Sequence, residues 1–234
     1  MDENKASKFY DEEWDRWEDR VKYGPLSRHI RRLIMHMTKE IDFKSVVDIG
    51  CGEGSLLQLL ELEGKYKLYG CDISKKAIEL ASTKVNGEFQ ELDIEKEYLN
   101  KNFDLAICSE VLEHIKDDRA AIKNIGKVAK YAIITVPTGE YGKKDKEVGH
   151  VRRYSDKKIL EKLKQEGFNI LKYRKWGFPF YSIVDRILMS KAPGALRTGK
   201  FGIFMKILSH FLYCIYLGNV FNKGNVMLIL AKKR

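Results

Sequence analysis

A chain of 234 residues, 44% hydrophobic and 32% charged, has enough apolar side chains for a full α/β core and needs no second domain to account for its length. Its formal net charge of +10 at pH 7 admits a polyanionic partner such as RNA or an anionic membrane surface, but says nothing about the fold. The first residues carry no apolar run of the kind a secretory signal needs, and Cys51, Cys71, Cys108 and Cys214 lack the spacing of a zinc site or disulfide framework, so a cytoplasmic protein is expected, with peripheral attachment at the inner membrane face as the alternative.

In chain order, an acidic segment studded with Phe9, Tyr10, Trp14 and Trp17 runs to Gly24 and Pro25, which punctuate two N-terminal helices within 1–42. Tyr10, Trp14 and Trp17, with Tyr23, read either as a lid over a ligand or as plain helix packing. From Leu26 onward, Ile30, Leu33, Ile34, Met37 and Ile41 recur at helical spacing, while Arg28, Arg31, Arg32 and His36 fall mostly elsewhere on the surface. Short β-rich runs then alternate with helical ones. Strands are predicted at 45–49, 67–71, 88–92, 103–108 and 131–136, and helices at 55–63, 74–84 and 117–130. Each parallel strand needs a crossover, so this alternation implies a mostly parallel sheet with helices on both faces. A helix over 155–166, begun by Ser155 and ended by Gly167, leads to a sixth strand at 168–175, and 225–232 makes a seventh.

One α/β domain follows: N-terminal helices (1–42), a ligand-binding core (43–176), an apolar insertion (177–224) and the last strand (225–234). The second half of the insertion is nearly long enough to span a bilayer. However, Lys206, Ser209, His210 and Tyr213 draw a polar stripe along it at helical offsets. The stripe favours a helix lying on a surface, either the protein's own sheet or lid, or lipid or a lipid-like substrate met through 178–221; a true span is the third alternative.

The sharpest motif joins the first strand to the first helix of the core: Asp48, Ile49, Gly50, Cys51, Gly52, Glu53, Gly54. Alternate glycines let the backbone turn tightly and approach a ligand at the carboxyl end of a strand. A dinucleotide loop wants G-x-G-x-x-G, whose third glycine opens a helix under a pyrophosphate; here Ser55 stands at that place, and Asp48 would add negative charge to negative charge. A ligand bearing an ammonium and a sulfonium is attracted instead. At the next strand end Asp72 is placed to accept from two ribose hydroxyls, and at the third Asp93 can accept from an adenine amino group, with Ile73 and Ile94 as apolar covers.

On these residues the chain resembles the class I S-adenosylmethionine-dependent methyltransferases over roughly 43–167. The resemblance assigns Asp48, Gly50, Cys51, Gly52 and Gly54 to the cofactor loop, Asp72 to the ribose, and Asp93 to the adenine. It also implies that the fourth-strand stretch from Phe103 to His114, with Ser109, lines the methionine end. S-adenosyl-L-methionine is then the cofactor and S-adenosyl-L-homocysteine the product. A seven-stranded Rossmann-like sheet with its last strand antiparallel is implied as well. The Pro-Gly-Gly that many members carry before the fifth strand is replaced here by Val128, Ala129, Lys130 and Tyr131.

Transfer to a hydroxyl needs a base or a metal. Glu110, Glu113 and His114 follow the fourth strand, and His150 follows the fifth. Glu110, His114 and His150 are the catalytic candidates, and the same residues with Glu113 can hold a divalent metal. The cluster resembles that of metal-dependent small-RNA 2′-O-methyltransferases, and its E-x-x-E-H spacing also resembles the ubiquinone-pathway O-methyltransferases. Tyr23, Arg152, Arg153 and Tyr154 are read as acceptor-binding, the arginines as a bidentate seat for phosphate or carboxylate, with a solvated charge run as the other reading. The expected function is O-methylation of a small, saccharide or lipid-linked acceptor. The alternatives are a metal-assisted RNA 2′-O-methyltransferase and a non-catalytic S-adenosylmethionine-binding protein.

Overall fold

The computed structural model describes residues 8, 10–12, 14, 19–189, 200–220 and 222–234. The expected aromatic positions Phe9 and Trp17 lie outside them. Residues 19–23 are helical, Gly24 interrupts, and α1 (Pro25–Thr38) restarts with proline at its first position, where the missing N–H costs nothing. There follow β1 (Ser45–Ile49), α2 (Ser55–Glu61), β2 (Lys67–Asp72), α3 (Lys75–Lys84), β3 (Glu88–Glu91), β4 (Phe103–Ser109), α4 (Asp118–Val128) and β5 (Ala129–Pro137). After these come α5 (Lys143–Glu147), α6 (Asp156–Gln165), β6 (Phe168–Trp176), α7 (Phe180–Val184), a π-helical turn (Asp185–Met189), α8 (Ile203–Tyr216) and β7 (Val226–Lys233).

The strands form one seven-stranded sheet in the order β3-β2-β1-β4-β5-β7-β6. β7 runs antiparallel to both β5 and β6, and the remaining pairs are parallel. Alternate residues of each strand feed opposite faces. Val47, Ala106, Ile134 and Ile229 meet α4 and α6, whereas Val46, Ile107, Ile133 and Leu228 meet α1, α2 and the aromatic residues of the insertion.

Local chemistry fixes most boundaries. Ser74, Asp117 and Ser155 cap α3, α4 and α6 by accepting the N–H groups of Ala77, Ala120 and Lys158 respectively. The helix predicted over 117–130 stops at Val128 because Ala129 is already extended and pairs with Phe103, so β5 follows with no loop.

The insertion takes the first of the alternatives its sequence left open, packing on the protein itself. α8 does carry the polar stripe, but the stripe faces the protein. Ser209 Oγ donates to the Tyr23 carbonyl at 2.6 Å, Tyr213 stacks on His29 at 4.2 Å, and Arg28 lies 3.8 Å over the Tyr213 ring. Fully buried Trp176 joins His29, Tyr181 and Tyr216 in an aromatic cluster that anchors α7 and α8 to α1. Among the described residues no helix is long and apolar enough to cross a membrane.

Candidate functional site

The cavity starts at the loop between β1 and α2. Gly50 and Gly52 take φ of 72° and 54°, left-handed values that L side chains rarely adopt. A Cβ at these positions would lie 2.3 Å from Val111 Cγ2 or 2.4 Å from Trp14 Cη2, so the indole of Trp14 rests on bare backbone. The N–H groups of Gly50 and Cys51 donate to the Cys71 carbonyl at 2.7 and 3.0 Å, and that of Gly52 donates to Asp72 Oδ2 at 2.9 Å. These bonds tie the loop to the end of β2.

Asp72 also accepts the Ser74 N–H on Oδ1 at 2.9 Å. Burial pushes its carboxyl up to about 6, against the pull of the Ser74 and Gly52 amides. Asp48 is pushed up to about 8, first by burial and then by the charge of Asp72. Two carboxylates held out of water in one cavity disfavour each other's ionised form, and a bound cation relieves both. A pyrophosphate would aggravate the conflict, whereas an ammonium and a sulfonium fit it. Asp93 accepts the Glu95 N–H at 3.0 Å and pairs with Lys96 at 3.2 Å, with Ile73 and Ile94 beside it.

These residues line one end of a cavity of about 500 Å³, a size suited to a small ligand. Asp48, Gly50, Cys51, Gly52, Asp72, Ile73, Asp93, Ile94 and Ser109 all face it. Gly54 does not. Its φ of 85° starts α2, and it packs against Ala81 and Val85 behind the loop.

Beyond Ser109 the chain turns sharply at Glu110, whose φ of 57° is unusual for a residue with a side chain. Thr135 Oγ1 donates to its carboxylate at 3.2 Å, and burial pushes the carboxyl up to about 7. Glu113 is buried, and among the described residues both its oxygens lack a hydrogen-bond partner, as does Nδ1 of His114. Burial, then the Glu110 charge, drives the Glu113 carboxyl well above the carboxylate range, and burial lowers His114 to about 3. The rings of His114 and His150 meet edge-on at 4.6 Å. His150 Nδ1 lies 3.0 Å from Asp145 Oδ1 and its Nε2 lies 3.9 Å from Glu113. Buried Asp145 also accepts from the Gly142 amide and Arg153 Nε, both at 2.8 Å.

Of the expected acceptor-binding residues only Arg153 lines the cavity. Arg152 is a correction: its guanidinium donates to the carbonyls of Ile115 and Lys116, both at 2.6 Å, and pairs with Asp118, so it braces the turn that carries His114. Tyr154 is a second, being buried with its hydroxyl 2.7 Å from Asp118 Oδ2. Tyr23 is a third, since its carbonyl and ring engage Ser209 and Lys206 of α8. Among the expected metal ligands, Glu113, His114 and His150 each offer one atom within 4.8 Å of the others, and Glu110 stands outside that group.

Tyr10 and Trp14 do cover the cavity from the N-terminal segment. Arg20, Arg31, Glu53, Asp145, Tyr181 and Asn225 also line it and carry no spacing signal in the sequence. Asp145 sits in a lysine-rich stretch that reads as solvated surface.

A sheet with one reversed strand, a glycine bend bracketed by buried acids, and a second polar cluster at its far end define a class I S-adenosylmethionine-dependent methyltransferase. The chain belongs to the methyltransferase-domain family, whose model matches residues 17–173. It is similar to the ubiquinone biosynthesis O-methyltransferases of Coxiella burnetii, 32% identical over 140 residues, and Vibrio cholerae, 27% identical over 140 residues. The match covers 56% of this chain and 58% or 57% of those relatives, so it spans little more than half of their length. Its fold is similar to that of the N-methyltransferase NodS from Bradyrhizobium japonicum, with TM-score 0.63, 15% identity and 97% of each chain covered. Magnesium protoporphyrin IX methyltransferase from Synechocystis gives TM-score 0.63 at 16% identity over 100% of both chains.

Proposed function

We propose that this enzyme methylates an oxygen on a small acceptor with an apolar body, and that His150 takes the hydroxyl proton. The observation that carries this reading is the bond between His150 Nδ1 and buried Asp145. A carboxylate at Nδ1 favours the tautomer with its proton there, which leaves Nε2 free to accept one. Burial holds the His150 ring below the usual histidine value despite Asp145, so the ring is neutral near pH 7. When bound, S-adenosylmethionine supplies a methyl already activated on a sulfonium, and the chain's task is to align, desolvate and deprotonate the acceptor. Val148, Val151 and Tyr181 line the same cavity as His150 and give it apolar surface, which suits an acceptor with an apolar body. The names of the two O-methyltransferase relatives support a hydroxyl acceptor.

The test is release of S-adenosylhomocysteine with phenols of graded alkyl length against matched amines. Turnover should favour the phenols, and His150→Ala should abolish it while leaving cofactor affinity intact. Preference for amines, or full activity in His150→Ala, would overturn the proposal.

A metal-assisted form of the same reaction is favoured by the cluster of Glu113, His114 and His150, whose unpartnered buried oxygens and nitrogen suit a divalent ion of the nitrogen-accepting kind. Such an ion would add Lewis acidity at the acceptor oxygen. Loss of turnover on chelation, restored by Zn²⁺ or Mn²⁺, supports it; turnover indifferent to chelator refutes it.

A further inference from the structure

We propose that the protein docks on anionic membrane surfaces through an outward apolar face built by α7, α8 and the turn before β7. On α8, Ile203, Phe204, Ile207 and Phe211 are 77%, 72%, 63% and 59% exposed. At 3.6 residues per turn they share one arc, and the opposite arc holds Ser209, Tyr213 and Tyr216, which pack on the protein. The helix is therefore amphipathic in the inverted sense, with its hydrogen-bonding side inward and its apolar side out. Water gives such a face no favourable partner.

The face continues past the end of α8. Gly218 leaves room for Phe180, whose Cε2 would lie 2.8 Å from a Cβ there, and Val220 N–H donates to the Phe178 carbonyl at 2.8 Å. Phe178, Phe180, Leu217 and Val220 are all at least 42% exposed.

Charge identifies the occupant. Among the described residues of 178–223 one acid, Asp185, stands against Arg186, Lys200, Lys206 and Lys223. Lys200 and Lys223 are exposed beside the face, and Lys206 reaches over the Tyr23 ring at 4.6 Å. A second copy related by a two-fold axis would set this cationic rim against itself, whereas anionic headgroups are complementary to it. Tyr181, next to Phe180, lines the cavity, so docking would bring the site close to an acceptor dissolved in the bilayer; that consequence alone rests on the proposed acceptor class.

The experiment is co-sedimentation of the full chain with vesicles of phosphatidylcholine and phosphatidylglycerol, compared with phosphatidylcholine alone. Binding should require phosphatidylglycerol and weaken with salt. The double variant Ile207→Glu, Phe211→Glu should weaken it about tenfold or more, with S-adenosylmethionine affinity by calorimetry unchanged. No sedimentation of the wild type with anionic vesicles, or equal binding by the double variant, overturns the proposal. So does a wild-type dimer that the double variant dissolves without any vesicle binding. None of these readouts involves methyl transfer, so failure of the proposed O-methylation would be seen separately.

Discussion

Asp72→Ala removes a carboxylate that accepts two backbone N–H groups, from Gly52 and Ser74, both at 2.9 Å. Two oxygens offer about four acceptor sites, so capacity remains on the side that faces the cavity. Two ribose hydroxyls donating to an ionised carboxylate are worth about 1.5–3 kcal/mol each. Their loss, about 3–6 kcal/mol together, corresponds to about 10²–10⁴-fold in Kd. Asp72→Asn keeps one acceptor oxygen and points an amide N–H at one of the two backbone donors, so an intermediate loss of about tenfold to a hundredfold follows. Titration calorimetry with S-adenosylmethionine at pH 8, above the raised value of about 6 for Asp72, reads the ionised state. Thermal melts of both variants confirm that the loop still folds. If folded Asp72→Ala bound the cofactor within about threefold of wild type, less than one ordinary hydrogen bond, the ribose assignment would be wrong.

Cofactor affinity should rise with pH. Asp48 and Asp72, raised to about 8 and about 6, keep protons that exposed carboxylates lose near pH 4, and a cationic ligand binds their ionised forms. Binding therefore tightens from pH 5 to 8 with proton release, measurable in buffers of different ionisation enthalpy. The same raised values stabilise the ligand-free fold below about pH 4, and that contribution is lost as pH rises through 6 and 8, so added cofactor should raise Tm more at pH 8 than at pH 5. Asp145→Asn should lower kcat by about 10²–10⁴-fold with cofactor Kd unchanged, by loosening the His150 tautomer; retained kcat would move the base to His114. Trp176→Ala should cost about 3–5 kcal/mol in denaturant unfolding, because the indole is fully buried among His29, Tyr181 and Tyr216; a loss under about 1 kcal/mol would deny that cluster its anchoring role.

The cofactor end of the site was legible because its determinants are local. Gly50 and Gly52 need left-handed backbone, Asp72 ends β2 and Asp93 stands two residues past the end of β3, and all of them lie within a stretch of alternating strands and helices. The acceptor end was only partly legible. Glu110, Glu113 and His114 stand out by spacing, but the role proposed for His150 rests on Asp145, five residues away in a short helix whose lysines disguise it. Arg152 and Tyr154 misled for the same reason. A paired guanidinium and phenol look like ligand donors until the carbonyls of Ile115 and Lys116 and the carboxylate of Asp118 are brought against them.

Sequence periodicity alone determined the strand and helix succession, because a half-buried strand or helix must repeat its apolar residues at its own period wherever it packs. It also determined the glycine bend, since φ is a property of one residue and its neighbours. Which side of α8 faces inward was decided only by tertiary structure. Periodicity marks two unlike faces but cannot say which will find partners, and here His29 and the Tyr23 carbonyl claimed the polar one and left the apolar one outside.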